Sequence, residues 1–173
     1  MDPFNIIKER RSVRRFKNEP IPKETLVKIL EAARVAPSAG NVQPWKFMIV
    51  CNSNTQQRLA DAALGQRWMV TAPVIIVVSA ELPRAASAYG QRGVELYALQ
   101  DTAAAIENML ICAVEEKLAG CWVGAFDEEK VASTLGLNKE KNRPVALVPL
   151  GYPNEKPSTP PKRPLDEIIS YVD

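Results

Sequence analysis

The chain has 173 residues, of which 46% are hydrophobic and 24% charged, and its net charge is +2. This length predicts one globular domain with a sizeable core, and the balance of 22 basic against 20 acidic residues argues against nucleic acid or a membrane as a partner. No apolar run reaches the ~20 residues of a membrane span, and the N-terminus lacks an apolar signal-peptide core, so we expect a cytoplasmic protein.

The first motif along the chain is RRSVRRF, in which Arg10, Arg11, Arg14 and Arg15 surround Ser12. Four fixed positive charges so close together are unusual in a protein that is nearly neutral. They fit a nucleic-acid patch, a targeting signal, a solvated helix face or a cradle for a small anion. The motif by itself leaves all four interpretations open.

The first half of the chain alternates helix and strand patterns. Apolar residues recur at helical spacing over residues 23–36, and Pro37 ends that pattern before the loop PSAGNVQP. Residues 45–51 (WKFMIVC) predict a strand, and residues 54–64 predict a helix. The β-branched run at 73–80 (PVIIVVSA) is typical of a strand buried on both faces.

The second half contains a long apolar helix and ends in a proline-rich tail. Residues 94–118 predict one helix that is apolar nearly all round and must be buried in a core or a subunit interface. The preceding stretch at 85–93 (AASAYGQRG) is the candidate for a mobile cover. The tail at 152–173 carries too many prolines for a helix or strand and predicts an extended arm. The shorter predicted elements are a strand at 121–125, a helix at 127–135 and a strand at 144–151. Strands alternating with helices indicate an α/β or α+β layered domain.

The chain contains no histidine and only three cysteines, Cys51, Cys112 and Cys121. Without histidine, Ser-His-Asp and Cys-His catalytic units and histidine-ligated zinc or haem are excluded. Three cysteines are too few for a four-cysteine metal or iron–sulfur site, so we predict no metal centre. Each cysteine lies in an apolar stretch, which predicts core packing in a reducing compartment. A bound cofactor is then an attractive carrier for any chemistry.

Three segments resemble the nitroreductase family of FMN-dependent oxidoreductases, in the family's order and over nearly the whole chain. They are RRSVRRF, PSAGNVQPW, and GCWVGAFDEEKV with the downstream PVALVPLGYP. The resemblance implies an α+β fold in which a central mixed β-sheet is flanked by helices. It also implies one domain over residues 1–173, an extended Pro-rich C-terminal arm at 152–173, and an intertwined homodimer with FMN at the interface.

The resemblance further implies which residues bind FMN. Arg14 meets the pyrimidine edge of the ring, and Gln66 lies on the same side. A main-chain N–H of Gly124 or Ala125 points at flavin N5. The phosphate and ribityl end is held by Arg10, Arg11, Ser12, Lys162 and Arg163. The second subunit contributes Pro37, Ser38, Ala39 and Asn41. Arg15 is expected to make structural contacts only, and no side chain acts as a catalytic acid or base.

The implied reaction is a ping-pong hydride transfer from NAD(P)H through flavin N5 to a nitroaromatic, a quinone or a similar conjugated acceptor. One alternative keeps the fold but has a reductive dehalogenase or another flavin reaction. A second is a protein that binds FMN without turnover. A third is a basic nucleic-acid module, against which the aromatic content of 6% and the interspersed acidic residues argue.

Overall fold

A computed structural model of the protein describes residues 2–172 and contains one four-stranded sheet in the order β1-β2-β4-β3. The strands are β1 (Trp45–Val50), β2 (Val74–Glu81), β3 (Ala119–Gly120) and β4 (Asn142–Gly151). All three strand pairs are antiparallel. Among the described residues, the isolated bridge between Ser12 and Gly120 is the one parallel pairing. The expectation of a mixed sheet is therefore wrong for this chain, which has a small antiparallel sheet flanked by helices.

The helices of the described residues are α1 (Pro3–Glu9), α2 (Lys23–Arg34), α3 (Ser53–Ala62), α4 (Leu82–Arg92), α5 (Ala98–Glu115) and α6 (Glu128–Leu135). The termini of α6 follow from its sequence. Asp127 accepts a hydrogen bond from the N–H of Lys130 at 3.1 Å, and Gly136 ends the helix with a φ of +65°. An acidic N-cap and a left-handed glycine are the usual signals for these two positions.

Strand β2 separates two hydrophobic cores. Because successive side chains of a strand point to opposite faces, Ile76 and Val78 pack with α2 and α5, whereas Ile75 and Val77 face the cluster formed with α3 and α6. All four side chains are fully buried. The prediction that this strand is covered on both faces is confirmed.

Several predicted elements differ in detail. The long helix predicted at 94–118 is divided, because a π-helical turn at Gly93–Tyr97 precedes α5. The strand predicted at 121–125 is misplaced: β3 lies at Ala119–Gly120, and Val123 makes only an isolated bridge to Leu147. The stretch at 85–93 falls mostly within α4.

The cysteines are three free thiols, but they are not all core residues. Cys121 is buried and Cys112 is partly buried, whereas Cys51 is exposed, so its predicted core position is wrong. Burial raises the pKa of the Cys121 thiol. No helix within residues 2–172 combines the length and apolar character of a membrane span, and no cluster of metal-binding side chains occurs in that range.

Candidate functional site

A positively charged cleft of about 750 Å³ lies between the N-terminal segment and the C-terminal tail; we call it the basic cleft. The cationic side chains lining it are Lys8, Arg10, Arg11, Arg14, Lys156 and Lys162, and Ser12 and Thr159 add hydroxyl groups. Glu155 is the one carboxylate among these described lining residues. The structure thus brings together five of the residues predicted to bind FMN, although Lys162 is separated from Arg14 by almost the whole chain.

Backbone pairing explains why the two ends of the chain meet here. The N–H of Lys17 donates to the carbonyl of Tyr152 at 2.9 Å, and the N–H of Asn154 donates to the carbonyl of Arg15 at 2.9 Å. Val13 and Phe16 are buried and anchor the N-terminal segment. Since these apolar side chains occupy the inner face, the side chains of the neighbouring Arg14 and Arg15 are exposed.

The arginines of the basic cleft have different partners. The Arg10 guanidinium pairs with Glu107 of α5 at 3.3 Å. The Arg11 guanidinium donates to the carbonyls of Lys8 and Arg10 and to the Thr159 hydroxyl, so it fastens the end of α1 to the tail. Arg10 is therefore the more available of these two cations for a ligand, and Arg11 supports the wall of the cleft.

Arg14 has an aromatic neighbour that the sequence did not predict. Its guanidinium lies 5.9 Å from the centre of the Trp68 ring, within the range of a cation–π contact. The main-chain N–H of Arg14 donates to Glu155 at 2.5 Å. The Arg14 backbone and side chain are thus restrained from two sides.

Glu155 is a residue of the cleft that sequence analysis missed. Prolines and cations dominate the pattern of the tail, and a single acidic residue among them matches no motif. Its carboxylate accepts the Arg14 N–H, so it orders the segment that carries the arginines. Thr159 was missed for the same reason, since an isolated hydroxyl in a proline-rich stretch matches no motif.

Gln66 and Ala125 form a second group of predicted site residues. The side-chain amide of Gln66 donates to the carbonyl of Ala125 at 3.3 Å. Trp68, the partner of Arg14, lies two residues after Gln66, which connects this group to the basic cleft. Gly124 is exposed and lines a separate cavity of about 200 Å³ that also includes Leu99.

The residues predicted to come from the second subunit do not line the basic cleft of their own chain. They lie in the turn after α2 as Pro37, Ser38, Ala39 and Asn41. The N–H of Ala39 donates at 3.0 Å to the buried carboxyl of Asp101 on α5. Burial raises the pKa of Asp101, and the hydrogen bond from Ala39 opposes that shift. The two groups of residues are thus fixed to different parts of the chain.

Among the residues predicted to hold the phosphate and ribityl end, Arg163 is the one that does not line the basic cleft. Its guanidinium pairs with Glu167 at 3.2 Å and also donates to the Glu167 carbonyl. Both side chains are largely exposed. Its neighbour Lys162 does line the cleft, so only the first residue of the pair is positioned for an anion there.

The cleft chemistry suits an oxyanion with several acceptor oxygens. Arginine and lysine donate charge-assisted hydrogen bonds to phosphate and keep their charge at neutral pH. A dianionic group would face six cations and one carboxylate, with one of those cations already paired to Glu107. Of the four interpretations of RRSVRRF, a cradle for a small anion agrees best with this concave geometry.

Comparison with known families identifies the group to which the sequence is related. Residues 7–68 and 63–152 match the profile of the Nitroreductase family. The chain belongs to the nitroreductase family. The matched segments contain the arginine cluster, the turn after α2 and the Gly124 segment.

The chain is similar to two curated proteins in sequence and to a solved structure in fold. The sequence is 32% identical to a Thermus thermophilus protein named NADH dehydrogenase, over 94% of this chain and 92% of that protein. It is 24% identical to pig (Sus scrofa) iodotyrosine deiodinase 1, over 98% of this chain and 68% of the deiodinase. The fold matches a crystal structure from Exiguobacterium sibiricum, described as a nitroreductase in complex with FMN, with a TM-score of 0.87 and 21% identity, covering 99% and 98% of the two chains.

Proposed function

We propose that this chain, as an FMN-dependent NAD(P)H oxidoreductase, passes hydride to a nitroaromatic, a quinone or a similar conjugated acceptor. The observation that carries the proposal is the basic cleft, in which Arg10 and Lys162 meet from opposite ends of the chain. The donors there fit the phosphate of FMN in charge and in kind. A solved structure with the same fold is described as a complex with FMN, which supports the same cofactor.

The basic cleft would hold the phosphate end of FMN. Arg10, Ser12 and Lys162 would supply the donors, with the Arg10 guanidinium shared between the phosphate and Glu107, and Arg11 keeps α1 and the tail in place around them. Arg163 retains its proposed phosphate role only if it leaves Glu167, a contact between exposed side chains that contributes little stability.

The other residues would surround the flavin ring. Arg14, braced by Trp68, would place its positive charge at the pyrimidine edge, where it stabilises negative charge. Gln66 would lie on the same side, and a main-chain N–H of Gly124 or Ala125 would donate to N5. When bound, FMN supplies hydride acceptance and donation at N5. No histidine is required, because these groups bind and polarise and protons come from solvent.

We further propose a homodimer in which the turn after α2 from one subunit completes the site of the other. In this arrangement Pro37, Ser38, Ala39 and Asn41 contact the ring bound by the partner's basic cleft. Partly exposed apolar side chains on α5, including Ala104, Ile111 and Val114, supply a surface that suits such a contact. Residues 1–173 would form one domain, with 152–173 as an extended arm, and the three free thiols agree with the cytoplasm.

The test is optical. Purified protein reconstituted with FMN should be yellow and should bleach when NADH or NADPH is added without oxygen. Re-oxidation by a quinone or nitroaromatic, at a rate that does not depend on which donor reduced the protein, would support the ping-pong order. A protein that cannot be reconstituted with FMN contradicts the proposal. A yellow protein that neither nicotinamide reduces favours FMN binding without turnover.

Reductive dehalogenation is the second candidate, because the deiodinase relative matches almost the whole chain. The chain spans about two thirds of the length of that relative. Chemically reduced protein incubated with iodotyrosine distinguishes the two reactions. Release of iodide at a rate comparable to quinone reduction would favour dehalogenation, and its absence would favour the nitroreductase reaction.

A further inference from the structure

The turn at residues 38–43, which we call the 38–43 turn, has an unusual backbone. Gly40, Asn41 and Gln43 all have φ values between +53° and +55°. Left-handed backbone is unfavourable for residues other than glycine, and it persists only where the surroundings impose it. The contacts that impose this conformation therefore determine the position of Ser38, Ala39 and Asn41.

Part of the restraint comes from inside the turn and from α5. The Ser38 hydroxyl oxygen accepts the N–H of Gln43 at 3.0 Å. The Gln43 side-chain amide donates to the Asn41 carbonyl at 3.1 Å. Asp101 of α5 accepts the N–H of Ala39. These bonds fix one side of the turn and leave the side at Gly40 to other neighbours.

Helix α4 contacts that remaining side at two points. Arg84 donates from Nε to the Val42 carbonyl at 2.6 Å. The Tyr89 side chain lies directly against Gly40: a Cβ added at Gly40 would collide with the Tyr89 hydroxyl oxygen and would lie 3.2 Å from its Cζ. The positive φ at position 40 favours glycine, and the close approach of Tyr89 leaves no room for a Cβ there.

Tyr89 is itself held in place, although 42% of its surface is exposed. Helix α4 is kinked at Tyr89 and Gly90, where Gly90 has a φ of 55° and a ψ of −142°. The Tyr97 ring meets Tyr89 edge-on, with centroids 5.2 Å apart and planes at 87°. Arg92 donates from Nε to the Tyr97 hydroxyl at 2.9 Å and lies over its ring. These contacts hold the partly exposed Tyr89 side chain in position against Gly40.

We propose that Tyr89 is a positioning residue for FMN binding. Through its contact with Gly40, Tyr89 holds the 38–43 turn in the position from which Ser38, Ala39 and Asn41 would contact the flavin ring. This inference rests on the proposed function, since it assumes that the turn contacts FMN. It adds a residue that the sequence motifs do not contain, because Tyr89 lies in α4, outside all three segments that resemble the family.

The experiment measures FMN affinity of the apoprotein by quenching of FMN fluorescence, and thermal unfolding of the same apoprotein. The variants are Tyr89→Ala, Tyr89→Phe, Gly40→Ala and the double variant Gly40→Ala/Tyr89→Phe. Gly136→Ala is the matched control. Gly136 has a φ of +65°, close to that of Gly40, but no atom lies within 4 Å of an added Cβ. The control therefore adds backbone strain without a collision.

We expect Tyr89→Ala and Gly40→Ala to weaken FMN binding by about tenfold or more, and Gly136→Ala by less than about twofold. The thermal midpoint should fall in both Gly40→Ala and Gly136→Ala because both contain similar backbone strain, and it should fall further in Gly40→Ala, which also contains the collision with Tyr89. The double variant should bind FMN more tightly than Gly40→Ala alone, since the colliding hydroxyl is gone.

Two results would overturn the proposal while wild-type protein still binds FMN. One is wild-type affinity in Tyr89→Ala, which decides the matter even if Gly40→Ala does not fold. The other is a double variant that binds no better than Gly40→Ala. Failure of the wild-type protein to bind FMN is a different result, because it removes the proposed function itself.

Discussion

The two outer arginines of RRSVRRF, Arg10 and Arg15, differ in their surroundings. Arg10 lines the basic cleft, whereas Arg15 is exposed and contributes only its carbonyl, as the acceptor for Asn154. We expect Arg10→Ala to weaken FMN binding by about tenfold or more, because a charge-assisted contact to phosphate contributes roughly 1.5–3 kcal/mol.

The matched control for that substitution is Arg15→Ala. It removes the same charge from the same motif and should change FMN affinity by less than about twofold. Fluorescence titration of the two apoproteins with FMN makes the comparison. Both titrations use one salt concentration, because salt screens the attraction between exposed charges and the phosphate. Equal losses in both variants would mean that the whole cluster acts through its general field, and the assignment of Arg10 to the phosphate would be wrong.

Asp101 gives a prediction about pH. Burial raises its pKa in the folded protein, so the folded state binds more protons than the unfolded state as pH rises above the ordinary value of 3.8. The contribution of Asp101 to stability is therefore greatest in acid and is lost as pH rises through the raised pKa. Asp101→Asn keeps an oxygen acceptor for the N–H of Ala39 and cannot ionise.

We accordingly expect the thermal midpoint of Asp101→Asn to rise relative to that of the wild-type protein as the pH is raised from about 4 to about 7. Thermal unfolding followed by circular dichroism at the two pH values measures the difference. A gap between the variant and the wild-type protein that stays constant with pH would show that folding does not shift the pKa of Asp101.

At the level of single residues, sequence and structure agree best where a motif is compact. Arg10, Arg11, Ser12 and Arg14 lie within five positions, and the structure places all four at the basic cleft. Glu155 and Tyr89 were not predictable, since each acts through one neighbour that is distant in the chain: Arg14 for the first and Gly40 for the second. A single sequence contains no signal for such pairs.

Two paired isoleucines of strands β1 and β2 should contribute unequally to the stability of the fold. Ile76 is fully buried, and its antiparallel partner on the edge strand β1 is Ile49, which is 40% exposed. Replacing Ile76 by Ala should lower the free energy of unfolding by about 2–5 kcal/mol, through lost burial and a cavity. Ile49→Ala, the same change one strand away, should cost less than about 1 kcal/mol.

Urea unfolding of both variants, with m-values compared to that of the wild-type protein, tests this difference. Equal losses would contradict the burial pattern of the single chain, and would mean that another surface covers Ile49 in the folded protein.

The strands show why the presence of a strand is easier to predict from sequence than its pairing partner and direction. The run at 73–80 predicted a strand with two buried faces, and β2 has them. The same run gave no information about strand direction, because helices cover both faces whether the neighbours are parallel or antiparallel. The predicted strand at 121–125 failed for a related reason: Cys121 and Val123 are buried apolar residues, yet only two residues, Ala119 and Gly120, pair as strand β3.

On the scale of the whole molecule, the C-terminal segment is the clearest unpaired surface. Its large apolar side chains are exposed in the single chain, with Tyr171 at 89% and Val172 at 94%. Leu165 and Ile168 are also more than half exposed. Clustered exposed apolar residues usually mark a contact with another molecule. In the proposed homodimer, the partner subunit is that molecule.

Ending the chain after Pro164 should therefore weaken the dimer. We expect light scattering with size-exclusion chromatography to find the full chain mainly as a dimer, and the shortened chain with a dissociation constant at least about tenfold higher. Replacing Ile168 and Ile169 by Ser is the control that keeps chain length and removes apolar surface only. A shortened chain that dimerises as well as the full chain would show that the segment lies outside the interface.

FMN should be coupled to this equilibrium. The turn after α2 does not line the basic cleft of its own chain, so a site that needs both is complete only when two subunits meet. A ligand that binds the dimer and not the monomer shifts the population toward the dimer by mass action. Adding FMN to the shortened chain should therefore restore dimer in proportion to the FMN bound. A monomer that binds FMN with the affinity of the full chain would mean that one subunit forms the entire site, and the Arg10 and Tyr89 effects would then arise in a single chain.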